Sequence, residues 1–248
     1  MKKTLLMMLG AVLTLPAMAR DFTCEYKGQT LTYTVIDEDA KTCQTKSGYY
    51  RNVEDWGSGN NVKGALEIPS EASDGEANFT VVAIGDYAYY CCYGLTSVTI
   101  PASVTSIGYH AFELCGSLIS VNIPEGVTTI GYSAFSGCGL ISVNIPQGVT
   151  SISNSAFSLC SSLTSVTISE GVTSIGYGAF EGCSSLTSIN IPGSVTSIDR
   201  RAFSSTSLTS VNIPKGVTSI GEQAFRWCNS LLSVIICGAN VKISRDAF

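Results

Sequence analysis

From residue 84 onward, hydrophobic and polar positions fall in one pattern that recurs to the end of the chain. A copy starting at Leu95 reads L-x-S-V-x-I-P-x-x-V-T-x-I-G-x-x-A-F-x-x-C-x-S. Its anchor isoleucines stand at Ile84, Ile107, Ile130, Ile152, Ile175, Ile198, Ile220 and Ile243, with steps of 22 or 23 residues. A period of this length marks a solenoid. Within a copy, Val98 and Ile100 alternate with Ser97 and Thr99, which predicts a short strand with its aliphatics inward. Pro101 has no N–H for a ladder and ends that strand. Val104 and Ile107 predict a second extended piece, and Gly108 permits a turn. Ala111, Phe112, Cys115 and Leu118 then predict a turn of 3₁₀- or α-helix from their spacing of about three. Eight positions per coil face inward: Leu95, Val98, Ile100, Val104, Ile107, Ala111, Phe112 and Cys115. One coil cannot cover such a face alone, so coils stack and stability becomes a sum of neighbour terms.

The 22-residue steps show where the coil tolerates change. Gly137 to Leu140 and Ser205 to Leu208 each lack one residue just before the leucine, which places a loop there. Before the array, Phe22 to Tyr26, Lys27 and Gly28, then Leu31 to Ile36 read as a hairpin. Gly64 to Pro69 repeats the strand-proline element, and Thr80 to Gly85 repeats the V-x-x-I-G element. Residues 20–83 are therefore expected to be a β-rich N-terminal cap with a degenerate first coil, followed by the array over residues 84–248. A cap covers the core and strand edge that a terminal coil would expose. The last copy departs from the pattern: Cys237 replaces the proline, and the sequence stops mid-repeat at Phe248. A truncated member, or an open end covered by a partner or second copy, is expected.

Residues 1–19 read as a secretory signal peptide cleaved after Ala19. Lys2 and Lys3 precede a short apolar run, and Ala17, Met18 and Ala19 form a small-x-small site. No second long apolar run follows, so the remainder carries no expected transmembrane segment. Only 13% of residues are charged and the net charge is -5. No Lys or Arg occurs between Gly85 and Asp199. That acidic, base-free stretch argues against nucleic acid, whose phosphates require cations.

Candidate chemistry is sparse. Six of the ten cysteines, Cys92, Cys115, Cys138, Cys160, Cys183 and Cys228, share one repeat position, and Thr206 fills the seventh. They read as a column of small buried side chains rather than metal ligands. Cys24 and Cys43 form the candidate disulfide, a staple across the cap. The single histidine, His110, reads as a surface residue, and Asp37, Glu38 and Asp39 as a solvated turn. There is no G-x-S-x-G, H-E-x-x-H or P-loop, so no enzyme and no cofactor are expected. The candidate ligand surface is aromatic: Tyr87, Tyr90, Tyr93, Tyr109, Tyr132 and Tyr177 lie at outward or rim positions of the turn. Tyrosine gives large contact area at small entropic cost. Arg200, Arg201 and Arg226 extend that surface with positive charge. Outward Ser and Thr/Asn columns on the strands, beginning at Ser97 and Thr99, are assigned to structure first.

The pattern L-x-x-V-x-I-P-x-x-V-x-x-I-G-x-x-A-F-x-x-C resembles the BspA-type (Treponema pallidum-type) leucine-rich repeat, with seven Ala-Phe pairs in phase and Ala88-Tyr89 as a variant. The resemblance implies a leucine-rich-repeat solenoid: a curved, right-handed array of parallel short strands with 3₁₀ or short helical turns. It also implies an exported or bacterial cell-surface protein without a catalytic motif. Its implied partners are extracellular-matrix or cell-surface proteins, fibronectin and fibrinogen among them. A glycan held on the tyrosines, or a structural role in the envelope, is the alternative expectation.

Overall fold

The computed structural model describes residues 20–46 and 62–248; the expected leader at residues 1–19 lies outside the described residues. The chain forms a parallel-strand solenoid of about seven turns behind a β-rich N-terminal region.

The N-terminal region is built on a hairpin. Strands β1 (Asp21–Tyr26) and β2 (Gln29–Asp37) pair antiparallel around Lys27 and Gly28. Both turn residues have positive φ (48° and 75°), as a two-residue hairpin matched to strand twist requires. Strand β3 (Thr42–Thr45) adds to β2, and β6 (Asn78–Ile84) then adds to β3 in parallel, with β5 (Glu71–Ser73) beside it. The hairpin turn also reaches the first long strand, β4 (Gly64–Glu67). Tyr26 donates to Glu67, Lys27 pairs with Glu67, and Gln29 Nε2 donates to the Ala65 carbonyl at 3.1 Å. These side chains occupy the edge that β4 would otherwise present.

Each later coil contributes to two parallel ladders. The long-strand ladder runs β4, β7 (Leu95–Thr99), β9 (Ser120–Asn122), then β11 (Ser142–Ile145) with β13 (Ser165–Ile168) and β16 (Ser210–Ile213) with β18 (Ser233–Ile236). The short ladder has two residues per coil. It begins with β6, β8 (Ser106–Ile107) and β10 (Thr129–Ile130). It continues as β12 (Ser151–Ile152), β14 (Ser174–Ile175), β15 (Ser197–Ile198), β17 (Ser219–Ile220) and β19 (Lys242–Ile243). The anchor isoleucines pair in register, Ile84 with Ile107, Ile152 with Ile175 and Ile220 with Ile243. Period-two alternation survives in burial: β11, β13 and β16 each bury Val and Ile and expose Ser and Thr or Asn.

The core is a set of columns. Tyr89, Phe112, Phe135, Phe157, Phe180, Phe203, Phe225 and Phe248 stack face to face, with centroids 5.1 to 5.6 Å apart and planes within 13°. Each buried phenylalanine contributes about 1.5–3 kcal/mol from burial, and each offset stack adds about 0.5–1.5 kcal/mol. The cysteine column runs alongside. The thiols of Cys138, Cys160 and Cys183 donate to the carbonyls of Phe112, Phe135 and Phe157 in the preceding coil at 3.1 to 3.2 Å. At the exception, Thr206 donates to its own coil's Phe203 carbonyl at 2.9 Å. Threonines do related work: Thr173, Thr196 and Thr218 each donate both N–H and hydroxyl to the threonine carbonyl one coil back.

The expected disulfide does not fit. Cys24 and Cys43 are free thiols on β1 and β3, with β2 between them. Two strand spacings are about 10 Å, whereas a disulfide holds Cα atoms about 4.4–6.8 Å apart. Their partners on β2, Leu31 and Val35, also lie four residues apart along that strand.

Candidate functional site

The turn carrying Ala-Phe positions the candidate residues, and it is not helical: among the described residues there is no helix. Two columns hold positive φ instead. The residue before Ala is one: Tyr87, His110, Ser133, Ser155, Gly178, Arg201, Gln223 and Asp246. The residue two after Phe (Tyr in the first copy) is the other: Cys91, Leu114, Gly137, Leu159, Gly182, Ser205 and Trp227. Left-handed residues cannot continue a right-handed helix. The N–H groups consequently alternate between two acceptors. Ala134 N and Cys115 N bond three residues back within the coil, while His110 N, Phe112 N and Leu114 N reach the next coil's Tyr132, Ala134 and Ser136 carbonyls at 2.8 to 2.9 Å. Three bonds per interface offset the left-handed cost of about 1–2 kcal/mol per residue. The spacing of three seen in the sequence reflects successive tight turns.

This backbone brings three columns to the rim of the turn: the residue two before Ala is the most open one, while the residue directly before Ala and the one after Phe are half-buried, or buried as at Ser133, Ser136 and Ser204. In the first coils they carry most of the expected tyrosines. Tyr87 stacks on His110 at 4.6 Å and 12°, His110 meets Tyr132 edge-on at 4.9 Å, and Tyr90 meets Tyr87 edge-on at 5.7 Å. His110 was expected to be a simple surface residue. It is instead the middle ring of this cluster, its side chain 19% exposed and its Nδ1 paired with Glu113. Tyr132 is the cluster's open ring, 43% exposed, and Tyr109, next to His110 in the chain, is 57% exposed. The carboxylate of Asp86 accepts the Tyr109 N–H at 2.8 Å, and Asn154 holds Tyr177 N–H in the same way at 2.9 Å. Tyr177 thus lies two coils beyond Tyr132 and outside the cluster. Tyr93 is exposed at the rim, where its hydroxyl donates to Cys91 and this bond raises its pKa.

The arginines share the outward columns but are engaged. Arg201 donates to Gln223 at 2.8 Å and lies 3.8 Å from Glu181; Arg200 lies 3.9 Å from Glu222; Arg226 covers Trp227 at 4.5 Å. The outward turn surface therefore changes along the solenoid from aromatic and acidic to paired arginines.

Sequence reasoning missed a second feature. The short ladder floors a groove of about 520 Å³, lined by Ser151, Ser174, Ser197, Ser219, Asn154 and Asp199 among others. Its signal was the serine that precedes five of the eight anchor isoleucines, from Ser106 to Ser219. Among the described residues no group of three or more His, Cys, Asp or Glu is placed to hold a metal, and no helix is long and apolar enough to cross a membrane.

The BspA-type leucine-rich repeat region matches in six copies over residues 82–206 and 150–248. The chain belongs to that family. Solved structures agree. A leucine-rich cell surface protein from Faecalibacterium prausnitzii is 33% identical with a TM-score of 0.69, over 88% of this chain and 55% of that one. The T. pallidum leucine-rich repeat protein is 27% identical with a TM-score of 0.61, over 86% of this chain and 82% of its own. A leucine-rich repeat protein from Bacteroides ovatus is 27% identical with a TM-score of 0.54, over 86% and 65%. This chain thus spans little more than half of the Faecalibacterium protein's length. Among curated proteins none matches it. For a BspA-type repeat, the general role that follows is protein–protein interaction on a rigid array.

Proposed function

We propose that this chain is an exported, non-enzymatic adhesive repeat protein that binds extracellular-matrix or cell-surface proteins. The observation that carries the reading is the partition of each coil. The inward positions are spent on stacking, while the rim columns of the turn vary from coil to coil and gather tyrosines in the first coils. Clustered, pre-ordered tyrosines give large contact area with little entropy lost on binding. The leader read at residues 1–19 supports export, and the name of the Faecalibacterium relative as a cell surface protein supports the location.

The test is solid-phase binding of the purified protein to immobilised fibronectin, fibrinogen and intact host or bacterial cells. Saturable binding, reduced by serine at Tyr109 and Tyr132, is the expected result. Absence of saturable binding to every surface defeats the reading. Binding to a glycan array alone replaces it with the carbohydrate alternative.

A further inference from the structure

We infer that the aromatic cluster recognises a cationic stretch of polypeptide, so that the partner presents lysine or arginine side chains in an extended segment. This rests on the protein-binding reading above and specifies its partner. Three observations point to it. First, open tyrosines lie near carboxylates: Tyr109 and Tyr132 are exposed, Asp86 accepts the Tyr109 backbone N–H, and Glu113 pairs with His110, whose ring Tyr132 meets edge-on. Tyrosine faces attract lysine and arginine heads, more strongly when a carboxylate is close. Second, this stretch of the sequence supplies no Lys or Arg: between Gly85 and Asp199 it has six acidic residues and neither base. Among the described residues no Lys or Arg forms an ion pair with Asp86 or Glu113, whereas Glu181 and Glu222 further along face Arg201 and Arg200. Third, the cluster is linear. Its rings step from coil to coil along the solenoid axis at about 4.8 Å, the strand spacing. An extended segment repeats same-side residues at about 6.6–6.8 Å, longer than one coil step, so one running along the axis brings cations to the open tyrosines and their acidic neighbours rather than one to each ring.

A native substitution supplies a clean probe. Asn154 occupies the position equivalent to Asp86 and accepts the same backbone bond from the next coil. Asp86→Asn therefore removes charge while keeping the acceptor. Fluorescence anisotropy would follow a labelled peptide of alternating lysine and glycine, with its glutamate–glycine counterpart and a neutral oligosaccharide as comparisons. The expected result is saturable binding of the lysine peptide only. Tyr109→Ser with Tyr132→Ser should weaken it about tenfold or more, and Asp86→Asn about threefold or more, with binding loosened by salt. Binding unchanged in both variants would overturn the inference, because diffuse negative charge would then explain it. Oligosaccharide binding that is lost in the tyrosine variant but kept in Asp86→Asn would also overturn it. If the protein binds matrix proteins but the lysine peptide neither binds nor competes, the cationic partner is refuted and adhesion stands. If nothing binds, both fail.

Discussion

Glycine follows five of the eight anchor isoleucines, and Gly131→Ala tests whether the missing Cβ sets the approach of the coils at that site. A Cβ on Gly131 would lie 2.6 Å from the Gly108 carbonyl carbon and 2.7 Å from its oxygen and from Tyr109 N. All three are backbone atoms and cannot rotate away. Relief to an ordinary contact of 3.4 Å requires the coils to part by about 0.8 Å. The bonds from Gly131 N to Ile107 O and from Thr128 N to Thr105 O, both 2.9 Å, span this interface. They would stretch to about 3.7 Å, beyond useful hydrogen-bond range. Two bonds at about 0.5–1.5 kcal/mol each give a loss of about 1–3 kcal/mol, the usual range for overpacking. For a chain of this size that lowers Tm by about 2–4 °C per kcal/mol, read by circular dichroism on heating. Gly116→Ala, where nothing lies within 4 Å, is the control and should stay within about 0.5 kcal/mol. Ser153 occupies the equivalent site one coil on, and its hydroxyl donates to Ile130 O at 2.5 Å. Ser153→Gly should therefore destabilise by about 1–2 kcal/mol, opposite in sense to what a uniform glycine requirement predicts. If Gly131→Ala costs no more than Gly116→Ala, the close-approach argument is wrong.

The stacked rings predict a position effect. Phe157→Leu removes two stacks from a fully buried ring and Phe248→Leu one from a half-exposed ring, so the first should cost more in urea denaturation by at least the one stack, about 0.5–1.5 kcal/mol, plus the greater burial lost; equal costs would refute an additive column. Thiol labelling of the native protein should modify Cys24, Cys91 and Cys237 quickly and the buried seven only after unfolding, because burial pushes Cys43, Cys92 and Cys160 up to about 12. Rapid native labelling of Cys160, read by peptide mass, would contradict this. Asp74 accepts the Ala77 and Glu76 N–H groups and pairs with Arg20, which holds its carboxyl near 2. Its contribution is present above the ordinary value of 3.8 and is lost as pH falls through about 2. Acid should loosen the N-terminal region over that window in hydrogen exchange, and Asp74→Asn should flatten the dependence.

How much of this was legible follows from which residues carry a signal. The two strands of each coil announce themselves through Val98, Ile100 and Ile107, because burial on a pleat forces period two. The phenylalanine column was legible from its phase alone. The turn was not. Its left-handed columns are filled by His110, Leu114, Ser155, Leu159, Arg201 and Trp227, and none of these suggests positive φ as glycine does. What stabilises them is a bond to the next coil, and that information is absent from any single repeat. Gly137 and Gly182 were partial clues. A side chain on either would strike Leu114 or Leu159 of the preceding coil at 2.9 or 2.8 Å, so the leucine of one coil fills the space its neighbour's glycine leaves. The role of His110 was hidden for the same reason, since its partners Tyr87 and Tyr132 lie 23 and 22 residues away.

The same turn geometry explains why recognition can change without endangering the fold. The bonds between coils that recur in every turn join backbone groups, and the side chains before Ala and after Phe add to them only locally, as Asp86, Asn154 and Arg201 do. Replacement of Tyr109 by Asn154 or Arg200 at equivalent positions leaves Phe157 and Phe203 as deeply buried as Phe112. The aromatic, acidic half and the arginine half therefore sit on one unchanged scaffold, and their chemistry is set by residues on which the core places almost no demand. A coil is conservative where it touches its neighbours and permissive at the rim of the turn, which is why the proposed ligand specificity is assigned to Asp86, Tyr109, Glu113 and Tyr132 rather than to the repeated positions.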